Sequence, residues 1–368
     1  MATVQSLGYT TGAKTFGEWS TNFTAFVVSH FSGKCTRVDV VFDRYNPNSI
    51  KEVTRAKRKK GKNKGITRNA ESREQRIGNW DRESLQELSS DHEEADTRIV
   101  LDARDATDRG YQQVNILCRD TDVLVLLLAF RKDLCKEILM FSGTSRRKKY
   151  IPVHNILLPE EKRKSLLAFH AIKGCDNSSQ FAGIGKQSAW KILEGTPELI
   201  EHLGEHCPPL ESVLADSEAF VRQLYNHVTN GKDINKDRAS AFRKVKKNLD
   251  SFPPTKDALH LHIRRANYQS MIWNKAKEPH LSLASPEENG WFYKEGVLKP
   301  KLTNQEELSA SCLQLAFCGC SCNDSTMIVV STADVLVFGC LLDVPKVASV
   351  DTRVETLETI HLTKKKCD

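Results

Sequence analysis

The chain lacks a long uninterrupted hydrophobic run. Val123–Phe130 is the most apolar stretch before the C-terminal part, far short of the roughly 20 apolar residues a membrane-spanning helix needs. Met327–Leu342 is longer, but Ser331, Thr332 and Asp334 interrupt it. No membrane association is therefore expected. A charged-then-apolar leader is also missing, so the 11 cysteines are expected as free thiols in a reducing, intracellular compartment. No segment repeats at the periods of solenoids or propellers. Nor does any nucleophile–base arrangement suggest a metal-free hydrolase: Cys175 has no neighbouring base, and His170 sits within an apolar helical pattern that suits a core or supporting histidine.

What is present is enough apolar material, 39% of 368 residues, for a sizeable core and more than one domain. The net charge of +7 is a mild basic excess whose location matters more than its size. Much of it falls between Lys51 and Arg73, where Arg55, Lys57, Arg58, Lys59, Lys60, Lys62 and Lys64 crowd together. Such a run can grip nucleic acid, act as a nuclear import signal, or simply form a solvated loop.

Element signals alternate. Val38–Phe42 reads as a strand ending at Asp43, and Glu93–Arg109 as a helix with acids in its first turn. Val114–Cys118 reads as a second strand and Asp122–Phe130 as a helix; strands around Glu137–Phe141 and Lys149–Val153 precede a helix over 159–172. This order predicts an α/β parallel sheet flanked by helices. Residues 194–290 read as helical, with Pro253-Pro254 the clearest break.

Six carboxylates fall at the ends of these elements: Asp43, the pair Glu94 and Asp96, the pair Asp120 and Asp122, and Asp176. Ligands of open parallel sheets gather at the carboxyl ends of strands. Glu94 and Asp96 are two residues apart, about 200° around a regular helix, so they share a centre only from an irregular first turn. Like charges brought together repel unless cations hold them, and hard oxygen ligands favour Mg²⁺ or Mn²⁺. Two such ions roughly 3.5–4 Å apart can clamp an in-line displacement at phosphorus. Taken singly, each pair also suits a helix cap or a turn. Further along, Gly183-Ile184-Gly185-Lys186 opens a helix whose N–H groups and dipole suit an anion. Trp190 on that helix is expected to pack rather than stack on a base.

Together, HEEADTRI (92–99), RDTDVLVLL (119–127) and GCDNSSQFAGIGKQSAWKIL (174–193) resemble the core of flap endonuclease/XPG-type nucleases of the PIN-like fold. The resemblance covers roughly 38–193. It implies a PIN-like nuclease core over 1–193, with 44–90 as a basic arch-like loop, a helical extension over 194–290 and a cysteine-containing tail over 291–368. It implies two metal ions held by Asp43, Glu94, Asp96, Asp120, Asp122 and Asp176, with Asp96, Asp122 and Asp176 central to catalysis. A helix–two-turn–helix at Gly183, Gly185 and Lys186, together with Lys51, Arg55 and Arg58, would hold the backbone of a nucleic acid, DNA in preference to RNA. The basic run, read as an import signal, makes an intracellular, nuclear location the expectation. The family's first strand, with one further metal-binding aspartate, has no counterpart before Asp39. That departure keeps an inactive nucleic-acid-binding or scaffold protein as the alternative.

Cys312, Cys318, Cys320 and Cys322 form a separate cluster whose C-x-C spacing could place thiolates on Zn²⁺. It faintly resembles the opening of a cysteine-rich CXC repeat, without the later cysteines that complete one.

Overall fold

The computed structural model describes residues 22, 25, 36–41, 43, 44, 49–51, 53, 54, 90–142, 149–225, 233–244 and 252–305, and the backbone of 328–332 and 335–339. The chain divides into two compact units, Met1–Asn304 and Gln305–Asp368.

The first unit is mixed α/β, with eight α-helices among the described residues. Helix α1 (Ala95–Asp108) leads to strand β1 (Gln113–Ile116), helix α2 (Thr121–Ala129) and strand β2 (Glu137–Phe141). The strands pair in parallel, Gln113 opposite Glu137 and Ile116 opposite Met140. Strand β3 (Tyr150–Pro152) lies on the far side of β2 and runs antiparallel, Phe141 opposite Tyr150. The expectation of an all-parallel sheet is corrected here. The 142–149 link is too short for the crossover of a dozen or more residues that a parallel return requires.

A second correction concerns Val38–Phe42. Residues 38–41 form no strand, and Val38 and Val40 are 42% and 47% exposed. The segment is drawn to α1 instead, because Arg37 pairs with both Asp39 and the α1 residue Asp105. The expected helix over 159–172 is divided into α3 (Glu160–Lys164) and α4 (Leu166–Lys173). Fully buried Ser165 separates them, its Oγ 3.0 Å from the carbonyls of Glu161 and Pro197. A hydroxyl bonding back to the carbonyl four residues earlier weakens helix continuity.

Every residue of α4 is buried. It is covered by α2, by α5 (Lys186–Gly195) and by α8 (Lys256–Asn274), which packs along it. Val123, Leu126 and Leu127 of α2, with Ala171 and Ile172 of α4, form the centre of this core. At about 1.5 Å per residue α8 spans roughly 28 Å. It begins after Pro253-Pro254, where the Thr255 side chain accepts a hydrogen bond from Ala258 N–H. Helices α6 (Glu211–Leu224) and α7 (Ile234–Lys244) complete the helical part.

The hairpin of β4 (Trp291–Lys294) and β5 (Val297–Pro300) belongs to this unit as well. Its turn residues Glu295 and Gly296 both have positive φ, 57° and 73°, as a two-residue hairpin with native twist requires. Trp291 packs edge-on against Tyr268 of α8, ring centroids 5.3 Å apart. Residues 194–304 thus share one compact unit with the sheet and its helices. In the second unit, β6 (Ile328–Thr332) and β7 (Val335–Gly339) form an antiparallel hairpin. No helix among the described residues is long and apolar enough to cross a membrane.

Candidate functional site

The acidic residues lie where α1 and α2 begin and where the chain leaves α4. At the start of α1, Glu94 has extended backbone and makes no side-chain cap. Asp43 takes that role from a distance, its Oδ1 accepting the Ala95 N–H at 2.8 Å. One oxygen of Asp43 is thus committed to the helix dipole. With Glu94 as the half-in residue and Asp96 in the first turn, the two carboxylates escape the 200° separation of a regular helix.

Asp120 caps α2, its Oδ1 accepting from Asp122 N–H at 3.0 Å. Asp122, in the first turn, accepts from His170 Nε2 at 2.9 Å. The His170 ring is tilted against Trp273 of α8, centroids 5.3 Å apart. The packed face of α4 therefore sets the position of a carboxylate on α2. Asp176 follows the end of α4, where Gly174 has φ +119°. A Cβ there would stand 2.5 Å from Gln180 Cγ and 2.9 Å from the Ser179 carbonyl. Only glycine fits that turn. The Asp176 carbonyl accepts from Thr54 Oγ1 at 2.8 Å.

Lys51 stands amid these acids. Its Nζ is 2.9 Å from Glu94 Oε2. Burial opposes its charge, but the fields of Glu94, Asp96 and Asp176 outweigh burial and hold the ammonium protonated well above its ordinary range. Asp96 has the converse problem. Burial first, then Glu94, Asp120 and Asp122, push its carboxyl up to about 7, against the pull of Lys51. For Asp122 burial also works upward, but the His170 hydrogen bond and charge, with Lys51 and Lys186, bring it below the usual carboxylate range. Two aspartates of one site thus have opposite proton affinities.

Cys175, beside Asp176, is a structural thiol. Burial pushes it up, and its backbone N–H donates to Ser178 Oγ at 3.0 Å. The glycine entry of α5 is open: Gly183 and Gly185 are exposed, and a Cβ at either would meet nothing within 4 Å. Lys186, the first residue of α5, is exposed.

The structure thus brings Glu94, Asp96, Asp120, Asp122 and Asp176 into one electrostatic neighbourhood. As these side chains stand, no three His, Cys, Asp or Glu residues among the described residues are grouped to hold an ion. Lys51, expected at a phosphate, is engaged by Glu94. Arg55, Arg58 and the cysteines Cys312, Cys318, Cys320 and Cys322 lie outside the described residues. Sequence reading missed the Thr54–Asp176 and Lys51–Glu94 links, which join residues far apart in the chain. It placed His170 as a supporting histidine without its partner. The four-residue step from His170 to Gly174 was the available clue, since it puts the ring one helical turn before the acidic turn.

Compared with family models, with curated proteins and with solved structures, the chain matches none.

Proposed function

We propose that this chain is a PIN-like nuclease that hydrolyses phosphodiester bonds in DNA with bound Mg²⁺ or Mn²⁺. Asp96 carries the reading: burial first, then Glu94, Asp120 and Asp122, raise its carboxyl to about 7 against the pull of Lys51. A strongly perturbed carboxyl beside several other acids is a candidate for a functional site. The donor chemistry fits hard divalent ions, because every candidate ligand offers carboxylate oxygen. When bound, such ions polarise a phosphoryl oxygen and lower the pKa of a coordinated water.

The chain's own groups account for the rest. Glu94, Asp96, Asp120, Asp122 and Asp176 would hold the ions, with Asp96 giving up its proton as they bind. His170 fixes the Asp122 carboxylate through its Nε2 hydrogen bond. Lys51 keeps a positive charge amid the acids, where phosphate oxygens would gather. The exposed Gly183–Lys186 entry offers backbone N–H groups to the strand. The basic run from Arg55 to Lys64 adds phosphate contacts and suits nuclear import.

A second reading, a nucleic-acid binder that does not cut, is favoured by the Lys51–Glu94 ion pair, which already neutralises one carboxylate. End-labelled flapped, nicked and single-stranded DNA incubated with Mg²⁺ or Mn²⁺ separates the two. The nuclease reading expects cutting that EDTA, Asp122→Ala and Asp176→Ala each abolish. Salt-sensitive binding without cutting would establish the inactive binder.

A further inference from the structure

A cleft of about 520 Å³ opens between α2, α4 and α5. That volume falls within the roughly 300–1,000 Å³ range of small-ligand sites. Its walls are apolar: Val125 from α2, Leu166 and Phe169 from α4, and Trp190 from α5. The Phe169 and Trp190 rings meet edge to face, centroids 5.4 Å apart and planes at 79°. Trp190 is held further by its Nε1–H, which donates to Glu194 Oε1 at 3.2 Å. The indole is half-buried, so it packs against α4 as expected and still lines open space.

The rim has a different character. Lys186, Gln187 and Lys191 line it and are exposed. Neither lysine has a hydrogen-bond or ion-pair partner among the described residues. Glu194, the acid at the rim, is engaged by Lys162 at 2.9 Å and by Trp190. Thr121 and His170 complete the lining. His170 is the residue that holds Asp122, so cleft and acidic cluster share a wall.

We infer that this cleft receives one unstacked nucleobase of a DNA strand whose backbone passes the acidic cluster. The inference rests on the nucleic-acid reading above and names where a base of that strand goes. Apolar walls with an aromatic edge suit the flat face of a base, and such contacts tolerate any sequence. Gln187 offers an amide that can both donate to and accept from a base edge. Lys186 and Lys191 suit the flanking phosphates and repel a cationic ligand, while a purely apolar ligand would leave both lysines unused.

The test uses the full chain in EDTA, so that cutting plays no part. Fluorescence anisotropy compares a labelled oligothymidylate with an abasic strand of equal length and equal phosphate number. The wild type is expected to bind the thymidylate about tenfold more tightly. Trp190→Phe keeps an aromatic wall and retains most of that preference. Trp190→Leu, with its fold checked by circular dichroism, removes it. Lys191→Glu, at an exposed site, weakens both strands and leaves their ratio unchanged. Equal binding of the two strands by the wild type overturns the inference, as does a preference that survives Trp190→Leu. Metal-dependent cutting without a base preference would sink the cleft alone. A base preference without cutting would sink the nuclease reading and leave the cleft standing.

Discussion

Two groups of buried charge in this molecule are built on opposite principles. Between α6, α7 and α8, Glu218 and Asp237 are 4% and 1% exposed, and each is matched. Arg222 grips Asp237 through its guanidinium. Glu218 takes the Ile234 N–H at 3.0 Å and His260 Nε2 at 3.0 Å, with Lys256 nearby at 3.7 Å. At the acidic end, Glu94 is paired with Lys51, yet burial first, and after it Glu94, Asp120 and Asp122, still drive Asp96 up to about 7. Buried charges that are paired and hydrogen-bonded need nothing from outside. The unequal group retains repulsion in the folded chain, and a bound cation is the direct way to relieve it. The first cluster is therefore structural; the second, we propose, is kept for a ligand.

The largest effect is expected at the matched cluster. Arg222→Ala should leave Asp237 buried without its cation and cost about 3–5 kcal/mol, read from urea denaturation. Asp122→Asn should change metal-free stability by about 1 kcal/mol or less, because an amide can still accept from His170. If the two substitutions cost the same, the distinction between the clusters fails.

Asp96 gives the next effect. Its folded pKa, about 7, lies above its ordinary value of 3.8. Its contribution to stability is therefore full below about pH 4 and is lost as pH rises through 7. Metal-free protein should lose roughly 2–4 kcal/mol over that window. Asp96→Asn should flatten the profile. In Lys51→Met, which removes the cation acting on Asp96, the loss should extend to higher pH. Urea melts across that range check both variants.

Gly174→Ala follows. With φ at +119° and a Cβ 2.5 Å from Gln180 Cγ, it should cost about 1–3 kcal/mol. It should also displace Asp176, so cleavage should fall by more than stability alone explains. Equal cleavage in the variant would detach Asp176 from the site.

The parts of this architecture that were legible in the sequence are those fixed by local signals. Asp120-Thr121-Asp122 before an apolar run marks a helix start, and α2 begins there. Val114 and Ile138 sit in β-rich runs separated by a helix-length link, and they pair in parallel. What failed was decided by the rest of the chain. Val38 and Val40 have strand propensity, but Arg37 ties their segment to Asp105 of α1. Ser165 looks neutral in a helical pattern, yet its burial beside Pro197 divides the helix. The site followed the same rule. The residue types of Glu94, Asp96, Asp120, Asp122 and Asp176 were readable one motif at a time. The reach of Lys51 to Glu94, and of Asp43 to Ala95, joins residues more than forty positions apart, which no local pattern encodes.

We propose that the acidic end stays short of positive charge until a divalent ion arrives. The most direct measurement is a Mn²⁺ titration of the metal-free chain, followed by electron paramagnetic resonance with proton release recorded in parallel. The account predicts binding near neutral pH that displaces the Asp96 proton, tightens between about pH 6 and about pH 8, and loses this pH dependence in Asp96→Asn. Mn²⁺ binding that is absent, or that is identical at both pH values and in the Asp96→Asn chain, would contradict it.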